Sequence, residues 1–438
     1  MLKLNVEDLK TRIAEFEDFQ TVGRLDRFDG VLHARLSAGI GELCKIQLSD
    51  SSSVLSEVIG FDSETTMLMP LRKVEHMEPH AQVVGLGRKA VVPVGRKMLG
   101  RTLDALGNPR DGLGGIFPSE WRPVEITSPN PLDRPNITEP FLTGQRSIDS
   151  MLTMGKGQRI GLFAGSGVGK STLMGEIAQR SSADINIVAL VGERGREVKP
   201  FIENSLGPEG LARSIVIVAT GDEPALVRIR AAQTAITIAS WFRDQGNDVL
   251  LMIDSLTRLA IAQRELGLLL GEPPTASGFP PSALQLLANL MEPLGCTREG
   301  SITGLMSVLV SGDDNNEPVS DTARGILDGH ITLDRQLAES NHYPAISISQ
   351  SISRLIDSVV DQDHLQAAGK IRNIMATYDQ VADLIRIGMY QQGSSEKIDA
   401  AIMLREQIVS FLQQRPGEFS AFEETRQRIL EIGELWRY

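Results

Sequence analysis

Cysteine is nearly absent: Cys44 and Cys296 are the only two in 438 residues, far apart and in no metal or redox spacing. A paired-cysteine metal or redox site is thereby excluded, and a reducing intracellular setting is expected. Aromatic residues make up 5% of the chain, and positive charge is in deficit, with 44 Lys and Arg against 56 Asp and Glu and a net charge of −12. Such a chain offers no evident surface of basic and stacking groups for gripping nucleic acid, so nucleic acid is not an expected partner. No apolar run approaches the ~20 residues of a membrane-spanning helix. The start, MLKLNVEDLK, lacks the apolar core of a signal peptide. The expectation is a soluble, cytoplasmic protein. Histidine is scarce too; His76 and His80 are four apart, but Pro79 between them breaks the helix that would bring them to one metal.

What is present is organised in blocks, and the length alone predicts two or three domains. Residues 1–19 carry Leu9, Ile13 and Phe16 at helical spacing between charges, which reads as a short amphipathic helix serving as a partner-binding handle or as a cap on the next domain. From 20 to 91, short alternating segments such as TVGRLDRF, VLHARL and CKIQLS are divided by Gly and Ser turns, the pattern of a small β-barrel or sandwich. The linker-like VVPVGRKMLGR opens the next block, 92–359. There the apolar strands INIVALVG, SIVIVAT, DVLLMID and ITGLMSVLV alternate with helical stretches such as EPALVRIRAAQTAITIASWF. That alternation predicts an α/β fold, a mainly parallel sheet covered by helices. From 360 to 438 helical periodicity takes over, with Ile398, Ile402, Ile408 and Leu412 near one face.

The chemistry concentrates in FAGSGVGKST, between the strand-like RIGLF and the helix-competent LMGEIAQR. Glycines at a strand-to-helix turn expose backbone N–H groups to phosphate oxygens, and the following helix adds its positive end. Gly165, Ser166, Gly167, Val168, Gly169, Lys170, Ser171 and Thr172 are therefore the candidate phosphate-binding residues. Lys170 would reach the terminal phosphates, and Ser171 would offer its hydroxyl to Mg²⁺. The motif departs from GxxxxGK[ST] at its first position, which is Ala164. Two carboxylates end apolar runs. Asp254 is either a magnesium-holding Walker B residue or the cap of the next helix. Glu193, in VGERGREV, either orients and deprotonates an attacking water with Arg194 near the terminal phosphate, or belongs with Arg194 to a solvated charge cluster.

Taken together, GERGREV, FAGSGVGKST and Asp254 resemble the ATPases of the flagellar and type III secretion export apparatus, relatives of the catalytic subunits of rotary ATP synthases. The likeness continues through QRELGLLLGEPP, GFPPSALQLLANL, GSITGLMSVLVSGDDNNEPVSDTARGILDGHI and HYPAISISQSISR. The GDDNNEP segment and the loop ending GKST fit the export branch. The resemblance implies an N-terminal β-barrel, a RecA-like P-loop core and a C-terminal helical domain, assembled as a homohexamer that hydrolyses ATP with Mg²⁺. On it, Lys170 and Ser171 fall at the phosphate and magnesium positions, Glu193 at the catalytic carboxylate, Arg194 at its phosphate-contacting neighbour and Asp254 at Walker B. Tyr343 falls at the aromatic that stacks on adenine. Arg354 falls at an arginine finger entering the neighbouring subunit's site. The partners it implies are a central stalk, a peripheral regulator, and export chaperones and their substrates, at the inner face of the cytoplasmic membrane. The functional expectation is an ATPase that energises protein export by chaperone release and substrate unfolding. The alternatives are a rotary ion-translocating ATP synthase subunit and a hexameric RNA translocase, which share the core.

Overall fold

The computed structural model of the chain describes residues 20–48, 52–74, 77–275, 278–310 and 317–438. The expected helix over 1–19, His76 and most of the GDDNNEP segment lie outside the described residues.

Six strands, β1 (Val22–Phe28), β2 (Leu32–Arg35), β3 (Glu42–Gln47), β4 (Ser53–Asp62), β5 (Thr65–Pro70) and β6 (Gln82–Lys89), close into a barrel in the order β1-β2-β5-β4-β3-β6. Alternation along each strand sends Leu25, Leu32, Cys44, Ile46, Val58, Leu68 and Val83 into the barrel's interior. Burial there pushes the Cys44 thiol up to about 12, with the Glu42 carboxylate adding to it, so this cysteine stays a protonated apolar filler. Closure leaves no open edge for another chain to pair with.

The expected linker is in fact packed structure. Val91–Val94 forms a strand antiparallel to Glu120–Pro123, and Val92, Val94 and Met98 are fully buried. Three apolar side chains within eight residues gain more from the core than they would as a solvated tether.

Beyond it lies the expected sheet. Its strand order is Ile346–Ser353, Gly329–Leu333, Arg159–Ala164, Ser301–Leu309, Asp248–Asp254, Ile185–Glu193, Ser214–Thr220 and Thr102–Leu103. All these pairings are parallel except that of Ile346–Ser353 with Gly329–Leu333. Every residue of Ile185–Glu193 is buried, because helices and neighbouring domains cover both faces. The pleat divides that strand between two cores. Ile187, Ala189 and Val191 face the core shared with the barrel and helix Ala225–Asp244; Val188 and Leu190 face the one shared with helix Lys170–Arg180 and the C-terminal helices.

The C-terminal part is helical as expected, with long helices over Gln362–Asp379, Glu396–Leu412 and Phe422–Glu434. In Glu396–Leu412 the buried stripe is Ala401, Leu404, Ile408, Phe411 and Leu412. Ile398 and Ile402 are only half-buried. The stripe is turned from the one expected because this helix packs on both Gln362–Asp379 and Arg146–Met151, and that two-sided groove selects the smaller Ala401 for its floor.

One ion pair joins barrel to core. Glu57 of β4 accepts from Arg230 of helix Ala225–Asp244, and both side chains are at least nine-tenths buried. Burial raises the Glu57 pKa and the Arg230 charge pulls it back. Glu57→Ala would leave the guanidinium buried without its counter-charge. It should cost about 3–5 kcal/mol, whereas Glu57→Leu with Arg230→Met should be close to neutral. Urea unfolding followed by circular dichroism checks both, and a single variant as stable as the parent would mean that water reaches the pair.

Candidate active site

In an open parallel sheet the carboxyl ends of the strands form the edge at which ligands bind. The loop after Ala164, the carboxylate of Asp254 and that of Glu193 all stand at this edge, with strand Ser301–Leu309 between the first two. Gly167 and Gly169 have φ of 82° and 95°, backbone that side chains resist. Ala164 is the buried last residue of its strand and is not among the described non-glycine residues with positive φ, so the position needs no glycine. Within the loop Gly165 and Val168 are buried, Gly169 and Lys170 half-buried, and Ser166, Gly167, Ser171 and Thr172 exposed. Helix Lys170–Arg180 starts directly from Gly169, so its first N–H groups open onto the loop.

Four charged side chains interlock here. Lys170 Nζ donates to Asp254 Oδ1 and lies 3.8 Å from Glu193 Oε1. Asp254 Oδ1 also accepts from Ser307 Oγ at 2.6 Å. Arg258 Nη2 donates to Glu193 Oε2 at 3.2 Å while its Nη1 donates to the Gly192 carbonyl. Asp254 does not cap the following helix; that role belongs to Ser255, whose hydroxyl accepts from the Arg258 N–H. Burial raises the Glu193 pKa, the nearby Asp254 charge raises it further, and Lys170 and Arg258 pull it down. A buried carboxylate held above its ordinary range at the strand edge is suited to act as a general base for water.

Arg194, Tyr343 and Arg354 are placed differently. Arg194 is exposed and pairs only loosely with Glu197, at 3.5 Å. Tyr343 is 39% exposed and borders a cavity of about 340 Å³ that runs from Gly167–Gly169 to Gln414–Pro416 of the C-terminal domain. Arg354 is exposed at the opposite edge of the sheet. Its N–H donates to Asp328 O, on the level of Arg159, where the P-loop strand begins. Five rungs at ~3.3 Å, roughly 17 Å, separate that level from Ala164, more than an arginine side chain spans.

Residues 144–353 match the ATP synthase alpha/beta family nucleotide-binding domain, and 360–431 match the T3SS EscN ATPase C-terminal domain. The flagellum-specific ATP synthase of Bacillus subtilis is 48% identical over 415 residues, 93% of this chain and 94% of that one. The type 3 secretion system ATPase of Xanthomonas euvesicatoria is 44% identical over 91% of this chain and 90% of its own. The chain belongs to the flagellar and type III secretion ATPase family. Among solved structures, the assembled ATPase EscN of the enteropathogenic E. coli type III secretion system superposes with a TM-score of 0.89 at 44% identity, over 94% of this chain and 100% of that one. EscN in complex with its central stalk EscO gives 0.86 at 43%, over the same shares. The barrel, the nucleotide-binding core and the helical C-terminal region are thus those of this ATPase family, as the sequence led one to expect. Among the described residues no helix is long and apolar enough to cross a membrane.

Arg258 was not singled out from the sequence, although it lies four residues after Asp254, on the first turn of a helix that starts at the site. Its charge and that of Lys170 oppose the rise that burial and Asp254 impose on the Glu193 pKa. The acid limb of kcat/KM for ATP hydrolysis should therefore lie above the usual carboxylate range, activity falling as pH drops through the raised Glu193 pKa. Arg258→Met removes one lowering charge and should move that limb to higher pH. Glu193→Gln should keep ATP binding and lose about 10²–10⁴-fold in turnover. A limb that stays put in Arg258→Met would show that Arg258 does not tune Glu193.

Proposed function

We propose that this ATPase is the engine of protein export through a flagellar or type III secretion apparatus, working as a homohexamer whose active sites are shared between subunits. What carries the reading is the arrangement at the sheet edge: a phosphate loop with Lys170, a carboxylate of raised pKa at Glu193, and Asp254 beside both. In it Lys170 leaves Asp254 to hold the terminal phosphates of ATP, and the loop N–H groups from Gly165 to Thr172 bind the remaining phosphate oxygens. Ser171 and Asp254 would hold Mg²⁺, since an exposed hydroxyl and a carboxylate are the hard oxygen donors that this ion takes. When bound it supplies neutralisation of phosphate charge. Glu193 takes the proton from the attacking water, and Arg194, exposed and loosely paired, swings to the terminal phosphate. Tyr343 stacks on the adenine.

Arg354 completes the neighbouring subunit's site. The roughly 17 Å between its level and the loop of its own chain supports a role in trans. The export partners that follow from the family are a central stalk, a peripheral regulator, and chaperones with their cargo, at the inner face of the membrane. Hydrolysis would release chaperones and unfold cargo there. The C-terminal match favours this over a rotary subunit.

Mixing tests the shared site. Lys170→Ala and Arg354→Ala should each bind or turn over ATP poorly alone, the second losing about 10³–10⁵-fold in rate. A mixture should regain partial activity, because some interfaces then pair an intact loop with an intact finger. Steady-state phosphate release checks this, with wild-type specific activity expected to rise with protein concentration as rings assemble. A fully active Arg354→Ala, or near wild-type release from Lys170→Ala, would overturn the assignments.

A further inference from the structure

The cavity between the phosphate loop and Tyr343 is lined by a group that the hydrolytic machinery does not use. Gln145 borders it and is only 4% exposed. Its backbone is fully engaged: the N–H donates to Thr143 Oγ1 at 3.2 Å, and the carbonyl accepts from the N–H groups of Ile148 and Asp149. Its side chain is not. Gln145 stands at the N-cap position of helix Arg146–Met151 but makes no side-chain cap bond, and its amide has no partner among the described residues. Nor is the amide sealed off, since it is absent from the fully enclosed polar atoms that lack partners. An amide carries two donors and an acceptor, and withdrawing it from water without new bonds is unfavourable. A ligand in the cavity would restore those bonds.

The backbone that carries Gln145 is pinned on both sides by one residue of the C-terminal domain. Gln414 Oε1 accepts from the Arg146 N–H at 2.8 Å, and its Nε2 donates to Gly144 O at 2.8 Å. The N–H of Gln414 itself donates to Tyr343 O at 2.9 Å. Tyr343, Gln414 and Gln145 thus form one frame, in which the stacking wall and the free amide keep a set separation. The wall between them has spent its peptide donors. Gln414 N–H goes to Tyr343, Arg415 N–H goes to Glu418 Oε2 at 3.1 Å, and Pro416 has none. Beside that wall Gln145 offers both a donor and an acceptor.

We propose that Gln145 reads the base of the nucleotide, its carbonyl accepting from the 6-amino group of adenine and its NH₂ donating to the adjacent ring nitrogen. A Gln amide and an adenine edge are complementary in this way. Guanine presents a carbonyl at the same position and sets oxygen against oxygen. The inference rests on the nucleotide-site reading above and adds a specificity-determining residue to it.

The test compares kcat/KM for ATP, GTP and the triphosphate of unsubstituted purine riboside, which lacks the 6-amino group, in the full-length protein and in Gln145→Val. The wild type should favour ATP over the deaminated analogue by about tenfold. In Gln145→Val that ratio should fall to near one, through a raised KM for ATP at unchanged kcat. Because each ratio is taken within one sample, a lowered folded fraction cancels. A ratio near one in the wild type, an unchanged ratio in the variant, or an equal loss with all three nucleotides would each overturn the assignment. Absence of hydrolysis of any of them by the wild type would instead sink the nucleotide-site reading, and this inference with it.

Discussion

Lys170 sits between two carboxylates, Asp254 and Glu193, at the rim of a buried, largely apolar sheet. Burying any one of these charges alone would be prohibitive. Together with Arg258 they make two cations and two anions that compensate one another, and Ser307 takes up part of the remaining hydrogen-bonding capacity of Asp254. The cluster is possible only at the carboxyl edge, where strands end and water, helix N-termini and loop amides are within reach. A buried parallel sheet therefore leaves this chain one place for charged chemistry, and the fold fills it. The same balance leaves the Lys170 charge satisfied by Asp254, with Glu193 3.8 Å away.

The other domains grip that core by different means. The barrel is held by shared apolar packing and by the Glu57–Arg230 pair, a contact that fixes orientation more than it adds stability. The C-terminal helices enter the second core through Ile371, Ile374, Ile408 and Ile429. Arg372 donates to the carbonyls of Ile348 and Met151 at 2.6 and 2.9 Å. Arg146 adds a bond to Glu418 at 2.6 Å. Gln414–Pro416 also forms one wall of the cavity beside the glycine loop, so the helical domain and that loop share a boundary.

Much of this could be read from the residues. Period-two segments announced the barrel, uninterrupted apolar runs announced buried parallel strands, and the glycines of FAGSGVGKST stood where a strand turns into a helix. These are local signals, each set by the chain's own repeat and by the conformations that glycine permits. Asp254 and Glu193 could be proposed because each ends an apolar run, but that Asp254 is not the cap of the next helix emerged only when Ser255 was seen to take that place. Tyr343 and Arg354 came from the family resemblance and not from any pattern of spacing.

Arg258, Gln145, Gln414 and the turned stripe on Glu396–Leu412 were beyond the sequence. Gln414 lies 269 positions from Gln145, and its amide bonds the two residues that flank Gln145; nothing in the neighbourhood of either marks it. Order along the chain determined the elements and the phosphate loop, because hydrogen-bonding period and backbone freedom are local properties. Which polar groups face each other across the cavity, and which are left unpaired for a ligand, was decided by tertiary packing, because hydrogen bonds between distant segments depend on where the sheet and the C-terminal helices come to rest.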